Sequence, residues 1–266
     1  PGTINLDTGR YHFTSQIVSI TQNLISIENI TSEGGADLTI YDTSGVNVIT
    51  TNTGNDTIHS KGGNDTITTG SGDDTVYLGN GTYTVDLGAG NDKVYLSTTA
   101  SSINGNTGTD EAVVRAFDGF VDVYIDLQFS TYFVPSKLTA QDGMDVSLES
   151  FENVTIDGNV SATLLGTSAA NTLIGDSGAD VLTGRGGADI LTGGSKSDKF
   201  VFMTGDTGIT EATADTITDF STGNDKIDIS TVGSYVEADG AGNANIAAFI
   251  TDADASLPTT SIDIYA

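Results

Sequence analysis

The chain has 266 residues with 33 glycines, three prolines and no cysteine, and its nine Lys and Arg against 36 Asp and Glu leave a formal net charge of −27. Such acidity excludes nucleic acid and anionic membrane surfaces as partners, since both need a basic face, and makes cations the natural ligands. Without cysteine neither a disulfide framework nor a thiolate metal site can form, and no run reaches the roughly 18 apolar residues of a membrane span.

In chain order, Pro1 opens no signal peptide of the charged-then-apolar kind, and Pro1-Gly2 reads as the boundary of a fragment. Between Thr3 and Ile40, Ile, Val and Leu alternate with Thr, Ser and Asn, which predicts strands on both sides of Glu28. Gly45, Asn47 and Ile49 already stand in the register of the repeat that begins at Thr51. His12, in a Tyr-His-Phe triplet, and His59 have no partner in the sequence, and both are read as surface or packing residues.

From Thr51 to Tyr95 one nine-residue phrase is written five times: TNTGNDTIH, SKGGNDTIT, TGSGDDTVY, LGNGTYTVD and LGAGNDKVY. The fourth residue is glycine (Gly54, Gly63, Gly72, Gly81, Gly90), the sixth is aspartate except at Tyr83, and the eighth is aliphatic (Ile58, Ile67, Val76, Val85, Val94). The first six residues, glycines and mostly short polar side chains, turn tightly, because glycine reaches positive φ at no steric cost. Three residues centred on a β-branched one alternate outside, inside, outside, as in a half-buried strand. Loop plus strand, repeated without a break, predicts an all-β solenoid in which two copies complete a coil of eighteen residues.

Successive loops then fall on opposite edges. Asp56, Asp74, Asp92 and Asp110 share one edge with Gly54, Gly72, Gly90 and Gly108; Asn47, Asp65 and Tyr83 share the other with Gly63 and Gly81. Carboxylates one strand spacing apart, about 4.7–4.9 Å, repel unless a cation lies between them. Carboxylate and backbone carbonyl oxygens, with no sulfur or imidazole at the repeat positions, suit Ca2+, whose six or more ligands can come from two adjacent loops.

These copies resemble the glycine- and aspartate-rich nonapeptide of RTX proteins. The resemblance implies a right-handed parallel β-roll, several calcium ions held between loops of neighbouring coils, and export from Gram-negative bacteria by type I secretion. Because Tyr83 departs from the pattern, the second edge is expected to lose a full site beside it.

Beyond Tyr95 the register is fainter, through Ile103, Gly108 and Asp110, and the roll is expected to fray there. Residues 113–150 concentrate Phe117, Phe120, Tyr124, Phe129, Tyr132 and Phe133, the pattern of a lid over an open end or of a binding face. The second half then repeats the first at an offset of 124: Ile27-Glu28-Asn29-Ile30-Thr31 returns as Phe151-Glu152-Asn153-Val154-Thr155, and Asn47, Gly54, Asp56, Asp65 and Asp74 return as Asn171, Gly178, Asp180, Asp189 and Asp198. This indicates an internal duplication. The copies GTSAANTLI, GDSGADVLT, GRGGADILT and GGSKSDKFV, with Gly187 at a fourth position, place Asn171 and Asp189 on one edge and Asp180 and Asp198 on the other. Leu173, Leu182, Leu191 and Phe200 are the expected core, with Phe200 and Phe202 plugging the roll.

Residues 203–230 resemble the segment that closes the roll in serralysin-type carboxy-terminal regions. Asp215, Asp219, Asp225 and Asp228 read as exposed acidic turn residues, with an extra calcium among them as the alternative. The tail from Val232 carries helical periodicity at Ile246, Phe249 and Ile250 and ends in strand-like SIDIYA. The expected division is a lead-in and roll over 1–112, a second over 113–202, and a closing segment over 203–266.

Every well-placed aspartate has a metal-binding reason, and neither a Ser/His/Asp set nor an HExxH motif occurs, so no enzyme is predicted. The expectation is a calcium-binding structural or secretion module of an extracellular bacterial protein, such as an S-layer protein, an adhesin or the end of an exoenzyme, with calcium, copies of itself or a cell-surface glycan as partners. The alternative is a polysaccharide-binding or polysaccharide-modifying module, recognisable by a groove lined with Tyr, Phe, Arg and Lys.

Overall fold

The computed structural model describes residues 2–6, 10–13, 28–32, 34–96, 101–115, 122–129, 131–134, 144–203, 206, 214–229 and 262–264. Phe117 and Phe120, the helical periodicity of the tail, and the side chains of His12, Phe129, Tyr132 and Phe133 lie outside them. The chain is a parallel β-roll in two compact units. The first comprises residues 1–115, 130–134 and 140–151, and the second comprises 116–129, 135–139 and 152–266.

In the first unit each three-residue strand of a nonapeptide pairs in parallel with the strand eighteen residues away. Thr57–His59 lies against Thr75–Tyr77, with Ile58 opposite Val76; on the other sheet Thr66–Thr68 lies between Val48–Thr50 and Thr84–Asp86, with Ile67 opposite Ile49 and Val85. Alternate copies therefore feed alternate sheets, and the eighth-position side chains Ile49, Ile58, Ile67, Val76, Val85 and Val94 fill the space between them with almost no exposure. The loops are laddered as well, with the Gly54 N–H donating to Ser71 O at 3.0 Å and the Gly72 N–H to Ala89 O at 2.8 Å. Backbone groups of one coil thus find partners in the coils on either side, which is how such short strands stay formed.

The roll does not fray after Tyr95. Ser101–Asn104 continues one sheet, with Ile103 opposite Val85, and Glu111–Arg115 continues the other, with Ala112 opposite Val94. Small and branched residues at the core position suffice to keep the register. Parts of the aromatic segment are strand. Thr131–Val134 pairs antiparallel with Met144–Glu149 in the first unit, while Asp122–Asp126 pairs in parallel with Ser161–Leu165 in the second. Val123 and Ile125 point inward and Tyr124 outward, the alternation of a strand.

The second unit stacks Asn153–Asp157, Thr172–Ile174, Ile190–Thr192 and Asp215–Ile217 in parallel on one sheet. Asp122–Asp126, Ser161–Leu165, Val181–Thr183, Lys199–Val201 and Lys226–Asp228 form the other. Leu173, Leu182, Leu191, Phe200 and Phe202 are buried. Antiparallel strands close several ends: Arg10–Phe13 on Gly2–Asn5, and Ile262–Ile264 on Asp215–Ile217. Each covers a row of edge groups that would otherwise remain open to pairing.

The duplication extends to individual hydrogen bonds. Asn47 Nδ2 donates to Glu28 O at 3.0 Å and Asn171 Nδ2 to Glu152 O at 2.8 Å. The Asn47 and Asn171 N–H groups donate to Asp65 and Asp189 Oδ1, each at 2.8 Å.

The loop stack depends on its glycines. At Gly72, φ is +126°, and a Cβ built there would lie 2.2 Å from Gly54 O in the preceding coil. Gly72→Ala is therefore expected to destabilise the fold by about 1–3 kcal/mol from backbone strain alone, and by more with the carbonyl clash. Gly34→Ala, with nothing within 4 Å of the new methyl group, should leave the thermal midpoint unchanged. Thermal unfolding followed by circular dichroism checks the contrast, and equal midpoints would show that the loops yield freely.

Candidate metal sites

On one edge of the first unit the aspartates form a continuous ladder. Asp74 Oδ1 accepts the Asp56 N–H at 2.7 Å, Asp92 Oδ1 accepts the Asp74 N–H at 2.8 Å, and Asp110 Oδ1 accepts the Asp92 N–H at 2.8 Å. Asp56 Oδ1 accepts the Leu38 N–H at 2.7 Å. The tight loop carries the carboxylate under the backbone of the preceding coil, so all four side chains are buried at 1–2% exposure. Each ladder bond uses one oxygen only. The second oxygen, Oδ2, of Asp56, Asp74 and Asp92 is buried and accepts no hydrogen bond.

The same arrangement recurs in the second unit. Asp180 and Asp198 are linked through the Asp180 N–H and Asp198 Oδ1 at 2.9 Å, and Asn171 and Asp189 through the Asn171 N–H and Asp189 Oδ1. Oδ2 of Asp180, Asp189 and Asp198 is again buried without a hydrogen bond. Deeply buried carboxylate oxygens with no donor are rare and costly in a folded protein. Desolvation accordingly raises these carboxyls against the pull of their backbone donors: Asp74 from 3.8 to about 6, Asp92 and Asp180 to about 7, and Asp189 to about 8, where the neighbouring Asp215 adds to the shift. Asp56 and Asp198 shift upward for the same reason.

The fourth-position glycines supply the other half of the setting. A Cβ at Gly90 would lie 2.0 Å from Gly72 O, at Gly108 1.6 Å from Gly90 O, at Gly63 2.2 Å from Gly45 O, at Gly81 1.6 Å from Gly63 O, and at Gly178 1.9 Å from Val160 O. At Gly54 and Gly187 the nearest atoms are the Ala36 and Ala169 carbonyl groups. Carbonyl oxygens are thus stacked beside the aspartate rows. Hard oxygen donors from two adjacent loops are what a calcium ion needs, and the residues present fit it.

The second edge of the first unit is built differently. Tyr83 fills the sixth position with a buried ring; its N–H donates to Ser101 Oγ at 3.1 Å, and its hydroxyl lies 3.3 Å from Ser60 Oγ. Ser60 Oγ donates to Asp65 Oδ2 at 2.8 Å, so Asp65, unlike Asp56, Asp74 and Asp92, has both oxygens occupied by protein donors.

The sequence reading gave Asp215 and Asp225 as exposed turn residues, with calcium as the alternative, and did not place them on the ladders. Asp215 is a fully buried strand residue rather than an exposed turn. Its Oδ1 accepts the Asp189 N–H at 2.9 Å, and Asp225 Oδ1 accepts the Asp198 N–H at 3.0 Å. Both ladders therefore run on through a coil with steps of 26 and 27 residues in place of 18. Asp219 clamps the Gly193 and Gly194 N–H groups, and Asp228 pairs with Lys199. The signal was present: Asp215-Thr216-Ile217 repeats Asp56-Thr57-Ile58, and Asp225-Lys226-Ile227 repeats Asp92-Lys93-Val94, but the longer coil hides the spacing. Asp42, fully buried with Oδ1 accepting the Lys61 N–H at 2.7 Å, lies outside the sixth-position pattern altogether.

An aromatic ladder runs along an outer sheet face of the first unit. Tyr41, His59, Tyr77 and Tyr95 stack with centroids 4.6, 4.6 and 4.4 Å apart and nearly parallel planes; Arg115 lies over Tyr95 at 4.5 Å and Lys93 at 5.4 Å. The rings spend their faces on one another. Stacking of this kind stabilises each pair by about 0.5–1.5 kcal/mol.

Two family models match the chain. The RTX calcium-binding nonapeptide repeat matches residues 39–67, 50–85 and 60–94, and the peptidase M10 serralysin C-terminal region matches residues 125–246. No curated protein matches the chain.

Burial fixes the sign of the pH response without calcium. A carboxyl whose folded value exceeds its unfolded 3.8 makes the folded chain hold more protons than the unfolded one, so stability is lost as pH rises through the folded value. The EDTA-treated chain should therefore be more stable near pH 5 than near pH 8, across the window from 3.8 to the values of about 6 to 8. Saturating calcium should reverse that order, because the ion displaces the protons. Urea midpoints at both pH values, with and without calcium, measure this.

Proposed function

As the chain belongs to the RTX calcium-binding repeat proteins, we propose that it is a module exported unfolded by type I secretion that folds outside the cell when calcium neutralises its carboxylate ladders. The observation that carries this reading is the set of buried Oδ2 atoms of Asp56, Asp74, Asp92, Asp180, Asp189 and Asp198, none of which accepts a hydrogen bond. In a low-calcium cytoplasm these groups repel one another and oppose folding. At the roughly millimolar calcium typical of extracellular sites, ions that bind only the folded state stabilise it by mass action.

The ligands in this reading are Asp56, Asp74, Asp92 and Asp110, with carbonyl groups of loops centred on Gly54, Gly72, Gly90 and Gly108, on the first edge. Asn47 and Asp65, with Gly63 and Gly81, serve the second edge, where Tyr83 interrupts the row. In the second unit Asn171, Gly178, Asp180, Gly187, Asp189 and Asp198 take the same parts. The module is structural rather than enzymatic: the matched families are the repeat and C-terminal parts of such proteins. Its setting is the extracellular bacterial surface or medium, as part of an S-layer protein, an adhesin or an exoenzyme.

Calcium titration of the EDTA-stripped chain, followed by circular dichroism with Mg2+ as control, tests the proposal. A cooperative, calcium-specific rise in β signal is expected, and a spectrum already complete in EDTA at neutral pH would refute coupled folding. Asp74→Ala, in the middle of its ladder, should raise the calcium midpoint more than Asp110→Ala, the last nonapeptide aspartate on that edge. Equal shifts would contradict the edge assignment.

A further inference from the structure

The aromatic row on the outer sheet face of the first unit is not uniform. His59 separates Tyr41 from Tyr77, and beyond Tyr95 the next strand has Val113 in its place. Among the described residues this leaves Tyr77 and Tyr95 as the one pair of tyrosines whose rings lie against each other, with centroids 4.4 Å apart and planes inclined by 10°. Their strands are in parallel register, with Tyr77 opposite Tyr95, so both side chains leave the sheet in the same direction from adjacent coils. Both are partly exposed. The Arg115 guanidinium spans the pair, 4.5 Å from the Tyr95 centroid and 5.5 Å from that of Tyr77. Of the other described tyrosines, Tyr83 is buried beside Ser60 and Tyr124 stands opposite Thr163 in the second unit.

Two phenols held in this way have a reaction open to them that an isolated tyrosine lacks. A tyrosyl radical carries its unpaired electron on oxygen and on the ring carbons ortho and para to it. The para carbon bears the side chain, so carbon–carbon coupling takes place at the ortho carbons. Two such radicals already in contact couple without a diffusional encounter, which is the advantage of proximity and orientation. Here strand register, stacking and the guanidinium above the rings hold the partners together before any oxidant arrives.

We propose that Tyr77 and Tyr95 form an oxidative coupling site, at which a one-electron oxidant of the haem-peroxidase class, using hydrogen peroxide, joins two adjacent coils by a dityrosine bond. Each phenol gives up one electron and one proton. The two radicals then form a single bond between their ortho carbons, the hydrogens on those carbons move to the oxygens as the rings regain aromaticity, and the peroxide leaves as two water molecules. The chain has no cysteine, so no disulfide can fasten one coil to the next, whereas this bond does so on the outer sheet face. Closing a loop covalently lowers the entropy of the unfolded chain. The coupled chain therefore folds at a lower calcium concentration. The site itself needs only the register of the strands; its effect on the calcium midpoint rests on the calcium reading of the ladders.

The test treats the full chain, under conditions where its β signal is complete, with a haem peroxidase and hydrogen peroxide, then digests the monomer and maps its cross-links by tandem mass spectrometry. The dominant link should join the peptides carrying Tyr77 and Tyr95, with a mass two hydrogen atoms below their sum. Tyr77→Phe, which keeps the ring and the stack, should abolish that link, and Tyr41→Phe should leave it. Monomer in which Tyr77 and Tyr95 stay unjoined, or are joined no more often than other tyrosine pairs, would overturn the site. The coupled wild type should also reach its folding midpoint at lower calcium than the untreated chain, and equal midpoints would overturn the fastening role. A chain already folded in EDTA would instead overturn the calcium reading and leave the link map standing, with the thermal midpoint then reporting the fastening.

Discussion

One constraint governs the molecule: rows of buried carboxylates, among them Asp56, Asp74, Asp92, Asp180, Asp189 and Asp198, whose Oδ2 atoms accept no hydrogen bond. At strand spacing, neighbouring charges repel by about 3–4 kcal/mol per pair at an effective dielectric of about 20. Desolvation adds to this, as the upward shift of Asp74, Asp92, Asp180 and Asp189 records. The opposing term is thin. Each nonapeptide contributes only one or two core side chains, so hydrophobic burial per coil is small compared with that of a globular domain. A fold of this kind is conditional on what neutralises the ladder, and protons or calcium can both do so.

The glycines belong to the same constraint. A Cβ at Gly72 or Gly90 would strike a carbonyl of the coil before, and a Cβ at Gly175, Gly184 or Gly193 would lie 2.2–2.4 Å from the Oδ2 of the aspartate five residues on. The loops must pass that close for their oxygens to converge. In the first unit the places of these last three are taken by Thr51, Ser60 and Thr69. Thr51 and Thr69 turn their hydroxyls to carbonyls of the next coil at 2.7 and 2.5 Å, and Ser60 serves Asp65. Duplication preserved the ladders while the two halves diverged in how much of the charge the protein satisfies itself. Arg185 facing Asp126 is the clearest case in the second unit.

Other parts stabilise without neutralising. The Tyr41, His59, Tyr77 and Tyr95 stack follows from the ninth position of alternate copies falling on one outer face at the strand repeat. Burial in that stack lowers the His59 pKa, since an imidazolium would lose solvation there. Antiparallel strands cover ends where a parallel stack would expose unpaired backbone.

How much of this was legible in the sequence depends on what is periodic. Period nine placed the strands, the core row from Ile49 to Val94, the aspartate edges and the duplication, because each depends only on the local alternation of a short strand and the turn chemistry of glycine and aspartate. Tyr83 was visible as a break, and calcium as the ion that oxygen ligands at that spacing require. Tertiary structure alone decided where periodicity gives out. It carried the ladders across a lengthened coil to Asp215 and Asp225, buried Asp42 beneath the Lys61 N–H from a position with no repeat role, and sent Arg185 back to Gly166 and Asp126. These contacts join residues by the stacking of coils, whose lengths an insertion changes without altering the register of the strands, and a linear spacing cannot express them.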